Sequence, residues 1–296
     1  MPMSLGLDGE MCGASLWGSH NGSVPDAAIL LVAVSSPGDV DFEPRRWWGN
    51  HLGELRWQLD AARLLAHPVL RGRGIPRGDG RSVLLLPGFL AGDYTLGMLA
   101  IWLRTIGYKP HRAGFLTNTG CSDRALRRVE ARADVLVAEE GRRIALIGHS
   151  RGAHLAKALG VRRPELVSHV IGLGGGLSRQ MAISAPTAAG VALVRAWHSR
   201  TTDRGQRLGC LTEQCGCSFT RDYAAPFPES VRLTSIHSKG DGVVRWQSCV
   251  VPYADNFGIR GTHVGLVFNP EAYVSIATAL AAPEREAASP AGRAAR

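Results

Sequence analysis

The chain has 296 residues, of which 45% are hydrophobic and 20% charged, an ordinary balance for a globular protein with a sizeable core. Its formal net charge of +9 is scattered along the sequence, without a basic run or an RNA-binding aromatic motif, and so does not indicate a nucleic-acid partner. No apolar run approaches the ~20 residues of a membrane-spanning helix. The best targeting candidate, AAILLVAV at 27–34, follows acidic residues rather than a basic region. We therefore expect a cytoplasmic protein whose contact with membrane surfaces is weak.

The predicted elements alternate between strands and helices from about residue 82 onward. Leucines and tryptophans at helical spacing predict a helix within 45–67, ahead of a glycine-rich loop. We predict strands at 82–87, 111–115, 143–147, 167–173, 231–237 and 256–260. We predict helices at 94–106, 123–139, 151–159 and 270–281, the last one beginning at the N-cap pair Asn269-Pro270. This alternation is typical of a parallel sheet that helices cover on both faces.

Three segments fall outside this alternation. Residues 1–44 match no pattern and are assigned to an N-terminal leader, which leaves 45–281 as the folded domain. Residues 282–296 contain no bulky apolar side chain, so we expect a disordered tail. The segment at about 174–228 has no clear strand, and so long a connection inside a domain is usually functional. We interpret it as a cap inserted over the carboxyl edge of the sheet, where sites in such folds lie.

The stretch IALIGHSRGAHLAKAL, at 144–159, places one serine between two glycines where a strand meets a helix. This is the setting of a nucleophile elbow, whose turn is so tight that the positions two before and two after the serine must lack side chains. Gly148 and Gly152 meet that demand, and Ser150 stands at the positive end of the helix dipole. The alternative is a helix N-cap serine in a glycine-rich turn.

A serine nucleophile needs a base and an acid that orients the base, and both follow the serine along the chain in such folds. His263 lies in a loop just after a predicted strand, whereas His237 lies within a strand. Asp241 stands in a turn between glycines, with Asp222, Asp255 and Asp93 as less well placed rivals. Alternatively, Asp241 caps its own turn and His263 has no role.

Backbone amides that stabilise an oxyanion are expected at two places. One is the amide of Arg151, directly after the serine, and the other is that of Phe89, in the loop after the first strand. Pro87 has no N–H to offer, and Gly88 lets the backbone approach a substrate. The alternative is a plain Pro-Gly turn at a strand end.

Four motifs together, VLLLPGFLAGD, LIGHSRG, SKGDGVVRW and GTHVGLVFNP, resemble those of bacterial α/β-hydrolases of the esterase/lipase type over about 79–281. The resemblance implies an α/β-hydrolase fold with Ser150 as nucleophile, Asp241 as acid, His263 as base, and Phe89 and Arg151 as oxyanion donors. A cation after the serine departs from many relatives. The Arg151 side chain could bind an anionic group of a substrate or form a salt bridge to a neighbouring loop.

The resemblance implies a serine hydrolase that cleaves small-molecule or lipid esters through an acyl-enzyme, with no metal or organic cofactor. An acyltransferase or thioesterase would use the same triad, and a lipid-binding pseudoenzyme would keep only the fold. Within the insertion, Val191, Val194 and Trp197 recur at near-helical spacing, which predicts a helix whose apolar face lines an acyl pocket.

Two other features attract attention. The stretch IGLGGGL at 171–177 lacks the third glycine of a dinucleotide fingerprint. Four cysteines, Cys210, Cys215, Cys217 and Cys249, lack the paired C-x-x-C spacing of common zinc sites. One of Cys215 and Cys217 could bridge to Cys249 and pin the cap beside Asp241, Cys210 could bridge to the other, or all could be free thiols.

Overall fold

The centre of the fold is one parallel sheet. This computed structural model describes residues 51–201 and 217–285, all within a unit that spans Arg45–Arg296. The strands of the described residues are β1 (Ser82–Leu86), β2 (Lys109–Arg112), β3 (Ile144–His149), β4 (Val167–Leu173), β5 (Arg232–Ser238) and β6 (Asp255–Ile259). They form a six-stranded sheet in the order β2-β1-β3-β4-β5-β6, with every neighbouring pair parallel.

Eight α-helices lie wholly within the described residues. They are α1 (Trp57–Ala66), α2 (Gly97–Thr105), α3 (Ser122–Glu140), α4 (Arg151–Arg162), α5 (Ala185–Thr201), α6 (Ser218–Ala224), α7 (Trp246–Cys249) and α8 (Pro270–Ala281). The last helix starts as predicted, because the Asn269 side chain accepts a hydrogen bond from the amide of Glu271, and proline occupies the first turn.

Alternate side chains of the central strands supply two hydrophobic cores, one on each face of the sheet. Leu84 and Leu86 of β1 pack with residues of α3, α4 and α6. Val83 and Leu85 point the other way and pack with residues of α1, α2 and α8. Since both faces are covered, the central strands β1, β3 and β4 are mostly apolar rather than alternating. The parallel sheet, its helical layers and the turn from β3 into α4 confirm the predicted α/β-hydrolase fold.

The second strand differs from its prediction. We expected it at 111–115, but β2 ends at Arg112. Gly114 has a φ of +84°, which turns the chain away from the sheet. The amides of Gly114 and Phe115 then donate to the carboxylate of Asp93, at 2.8 and 3.1 Å, instead of to a strand.

The helix predicted within 45–67 is interrupted after residues 51–53 and packs differently than expected. A 3-10 turn at Glu54–Arg56 leads into α1. Of its predicted leucine stripe, Leu64 is fully buried, whereas the leucines at 52, 55 and 59 are exposed. Trp57 packs against Phe268, with ring centroids 5.5 Å apart, so the start of α1 lies beside the segment that follows His263. Residues 45–50 lie outside the described part of the chain.

The remaining predicted segments are described in part. The insertion at 174–228 contains α5 and α6, and its residues 202–216, like the predicted leader at 1–44, lie outside the described chain. The prediction of a disordered tail is wrong for its first residues. The Arg143 guanidinium binds the Glu284 carboxylate at 2.9 Å and the Arg285 carbonyl at 2.8 Å. None of the described helices is long and apolar enough to cross a membrane.

Candidate active site

Ser150 occupies a strained turn between β3 and α4. Its φ of 52° and ψ of −120° lie where residues other than glycine are rarely found. A Cβ on Gly148 would lie 2.3 Å from the backbone of Gly152, and a Cβ on Gly152 would lie 2.1 Å from the carbonyl oxygen of Leu86. Both glycines are therefore sterically required, as the elbow prediction demands, and the strain is held by the packed strand and helix on either side.

Asp241 and His263 come together from two loops at the carboxyl edge of the sheet. Asp241 follows β5 and His263 follows β6, and both side chains are buried. Oδ2 of Asp241 lies 2.7 Å from Nδ1 of His263. The other carboxylate oxygen accepts the amides of Val243 and Val244, at 2.8 and 2.7 Å. The Asp241 carboxylate is thus fixed by its own turn and also contacts the imidazole.

The contact with Asp241 sets the state of the His263 ring. The carboxylate can only accept, so Nδ1 carries the proton and Nε2 keeps its lone pair. Burial by itself would lower the pKa of His263, but the charge and hydrogen bond of Asp241, with a smaller contribution from Glu54, raise it above its ordinary value. The imidazole is therefore a stronger base than a free histidine.

His149, which the sequence analysis did not assign, packs on His263. Its Nε2–H donates to the backbone carbonyl of His263 at 3.0 Å, and the two rings lie 4.8 Å apart. Burial and the neighbouring His263 lower the pKa of His149 to about 3, so it stays neutral at ordinary pH. Its neutral ring supports His263 without adding a competing positive charge.

The loop after β1 approaches the serine closely. A Cβ on Gly88 would lie 3.2 Å from the Cβ of Ser150, so only glycine allows this approach without displacement. Leu90 has a φ of 60°, which places a second strained residue in the same loop. Phe89 lines the cavity above Ser150, and the Arg151 amide, in the first turn of α4, has no acceptor within the helix.

The Arg151 side chain binds a neighbouring loop, through hydrogen bonds rather than through the salt bridge considered from the sequence. The guanidinium donates to the backbone carbonyls of Asn118 and Gly120, at 2.7 and 2.6 Å, and to the hydroxyl of Ser122 at 3.1 Å. Asn118 in turn donates to the Pro87 carbonyl at 2.8 Å. Burial lowers the pKa of Arg151 to about 10, which leaves it charged. Arg151 therefore braces the loop that supports the Pro-Gly-Phe turn.

The glycine-rich stretch at 171–177 has a packing role. Gly174 has a φ of +58°, and a Cβ there would lie 3.2 Å from both Oδ2 of Asp241 and Nδ1 of His263. A Cβ on Gly175 would lie 2.4 Å from that of Ala153, in the first turn of α4. These glycines let the chain pass between the Asp–His pair and the elbow.

The residues that were considered as alternatives to His263 and Asp241 make contacts elsewhere. His237 stacks on Trp246 at 5.9 Å, and it does not line the cavity that Ser150 and His263 share. The rival carboxylates bind elsewhere: Asp222 to Arg162, Asp255 to Arg232, and Asp93 to the turn after β2.

A cavity of about 850 Å³ opens at Ser150, and its walls are mostly apolar. Apolar lining residues are Trp57, Phe89, Leu90, Met98, Met181, Ile183, Val191, Val243, Val244, Val267 and Phe268. Helix α5 forms part of one wall, through Pro186, Thr187, Gly190 and Val191. The predicted apolar face is only partly correct, since Val191 lines the cavity whereas Trp197 is 66% exposed and does not.

Cys249 is a buried free thiol, as is Cys217. The bridge from Cys249 to the insertion is therefore not formed, and burial raises the pKa of this thiol further above its ordinary value. Cys210 and Cys215 lie outside the described residues. Within 51–201 and 217–285, no three His, Cys, Asp or Glu side chains are grouped so as to hold a metal ion.

Comparison with known proteins finds likeness only at the level of solved structures. No protein-family model and no curated protein matches this chain. A soluble variant of monoglyceride lipase from Saccharomyces cerevisiae is 13% identical, with a TM-score of 0.49, over 70% of this chain and 89% of its own. The thioesterase domain from the curacin biosynthetic pathway is 16% identical, with a TM-score of 0.48, over 68% of this chain and 91% of its own. The monoacylglycerol lipase of Paleococcus ferrophilus is 13% identical, with a TM-score of 0.48, over 70% of this chain and 96% of its own.

Proposed function

We propose that this protein is a serine hydrolase that cleaves carboxylic esters, with Ser150, His263 and Asp241 as its catalytic triad. The observation that carries the proposal is the pairing of a strained, glycine-flanked serine with a buried Asp–His pair at one apolar cavity. The backbone strain at Ser150 costs stability, and such strain persists where a function requires the geometry.

In the proposed reaction, Nε2 of His263 accepts the Ser150 proton while Oγ attacks the acyl carbon. The negative charge on the carbonyl oxygen is stabilised by the amides of Phe89 and Arg151. His263 then gives its proton to the departing alcohol, which leaves an acyl group on Ser150. Water, deprotonated by His263, attacks this ester and releases the acid and the free serine.

The apolar lining of the cavity supports an acyl group with a hydrocarbon chain as the substrate moiety that it holds. The side chain of Arg151 supports no recognition of an anionic substrate, because its donors are directed to a neighbouring loop. An uncharged ester or lipid ester is therefore the proposed substrate class.

A panel of p-nitrophenyl esters with acyl chains of graded length tests the proposal. We expect release of p-nitrophenolate from at least one ester, and none above background from Ser150→Ala. Faster acyl transfer to an added alcohol than to water would favour the acyltransferase alternative, and a preference for matched thioesters would favour a thioesterase. Binding of the esters without turnover would contradict the proposal and favour the pseudoenzyme.

A further inference from the structure

We infer that Glu54 is a positioning residue, which ties the acid loop and the histidine loop together and holds His263 in place for its reaction. The inference rests on the proposed function, since it concerns the group assigned there as the base. Glu54 lies far from this site in the sequence and belongs to the short 3-10 turn ahead of α1.

One carboxylate spans both loops. Oε1 of Glu54 accepts the amide of Gly242, the residue after Asp241, and the amide of His263, each at 2.9 Å. Oε2 accepts the amide of Val264 at 3.0 Å. Hydrogen bonds to an ionised carboxylate are stronger than neutral ones. Glu54 therefore fixes the backbone on both sides of the contact between Asp241 and His263.

The element that carries Glu54 is anchored independently of these bonds. Trp57 packs on Phe268, and Leu64 is fully buried in the core on that face of the sheet. Asp60 of α1 also packs on the histidine loop, since a Cβ on Gly265 would lie 2.3 Å from Oδ2 of Asp60. The side chain of Glu54 thus reaches the two loops from a packed helix rather than from a free loop.

Glu54 also acts on His263 electrostatically. The titratable groups that act on the imidazole from the packed elements are Asp241, His149, His154 and Glu54. His149 and His154 are both held neutral, because burial lowers the pKa of each to about 3. Asp241 is in direct contact with the ring, and the negative charge of Glu54 adds to its effect in raising the pKa of His263.

If the Glu54 carboxylate only tied the loops together, replacing it would change the stability of the protein. If it also positions the base, replacing it must change the titration of His263. Glu54→Gln removes the charge, and its amide oxygen can still accept from Gly242 and His263, although its amide nitrogen cannot accept from Val264. Glu139→Gln is the matched control, because Glu139 is an exposed residue of α3, and the substitution removes the same charge away from the site.

The first measurement uses protein that carries Ser150→Ala and labelled histidine, so that it does not depend on activity. We expect NMR titration to give a lower midpoint for His263 in Glu54→Gln, and an unchanged midpoint in Glu139→Gln. An unchanged midpoint in both would overturn the inference. Failure of the proposed function would appear separately, as an absence of ester turnover in the protein with Ser150 intact.

The second measurement uses the active protein. We expect Glu54→Gln to lower kcat roughly tenfold, with KM changed by less than about twofold, because the lost charge and the lost Val264 bond act on the base and not on substrate binding. The acid limb of the pH profile should move to lower pH, and Glu54→Asp should recover that limb in part. A loss confined to KM, or a loss of folded protein with kcat unchanged in what remains, would contradict a positioning role.

Discussion

Oδ2 of Asp241 lies 2.7 Å from Nδ1 of His263 in a buried contact between two loops. This contact keeps the proton on Nδ1 and leaves Nε2 to receive another. In the proposed function it decides which residue acts as the base, and it sets apart His263 from His237, whose ring stacks on Trp246 outside the cavity.

Removing either member of this pair should nearly abolish ester turnover. We expect His263→Ala to lower kcat by at least about 10⁴-fold, and Asp241→Asn by a similar factor, since an asparagine amide favours the wrong tautomer. Circular dichroism would check that each variant is folded. His237→Ala is the control and should keep most of the activity; an inactive His237→Ala beside an active His263→Ala would contradict the assignment.

The pH dependence should follow the ionisation of His263. The base must be neutral to accept the serine proton, and its pKa is raised above the ordinary histidine value of about 6.5. Activity should therefore be full at pH values above the raised pKa and fall in a single step as the pH drops through it. A profile of kcat/KM against pH measures this; a rate that stays flat down to pH 4, or a midpoint below 6.5, would contradict it.

The glycines of the elbow should be intolerant of a methyl group. Gly152→Ala places a Cβ 2.1 Å from the Leu86 carbonyl oxygen, and we expect it to lower the free energy of unfolding by about 3 kcal/mol. In Gly97→Ala, at the start of α2, the added Cβ has no neighbour within 4 Å, so the free energy of unfolding should change by less than about 1 kcal/mol. Urea unfolding of both variants measures this, and equal stabilities would show that the elbow can relax.

The wall formed by α5 should set the acyl length that the cavity accepts. Val191→Trp fills part of the cavity, and we expect it to lower kcat/KM for long acyl esters at least about tenfold more than for acetyl esters. Leu193→Trp is the matched control, because Leu193 lies on the same helix and is 73% exposed. The same loss in both variants, or no change in chain-length preference, would exclude α5 as the acyl wall.

The parts of the site that follow from the sequence are those with local causes. The elbow is specified within five residues, because Gly148 and Gly152 are needed wherever a strand turns so tightly into a helix. The sheet follows from short apolar strands between helices. The end of β2 was misplaced because the carboxylate of Asp93, rather than another strand, satisfies the amides of Gly114 and Phe115.

The parts that escaped prediction depend on contacts between distant segments. Glu54 and His263 are separated by 209 residues, and nothing in the sequence around Glu54 marks it as a partner of two loops. His149 precedes the serine, yet its role depends on a loop 114 residues away. The Arg151 side chain looked available for a substrate because its acceptors are backbone carbonyls, which every residue has and no motif reveals.

The most direct test of the account is reaction with a fluorophosphonate, which labels serines that an adjacent base activates. Peptide mass spectrometry should find one adduct on the peptide that contains Ser150, formed quickly in the native protein. Labelling should be absent in Ser150→Ala and strongly slowed in His263→Ala, with Gly97→Ala labelled as the native protein is. Folded native protein that forms no adduct at Ser150, or labels at the same rate without His263, would contradict the assignment of this site as a serine hydrolase.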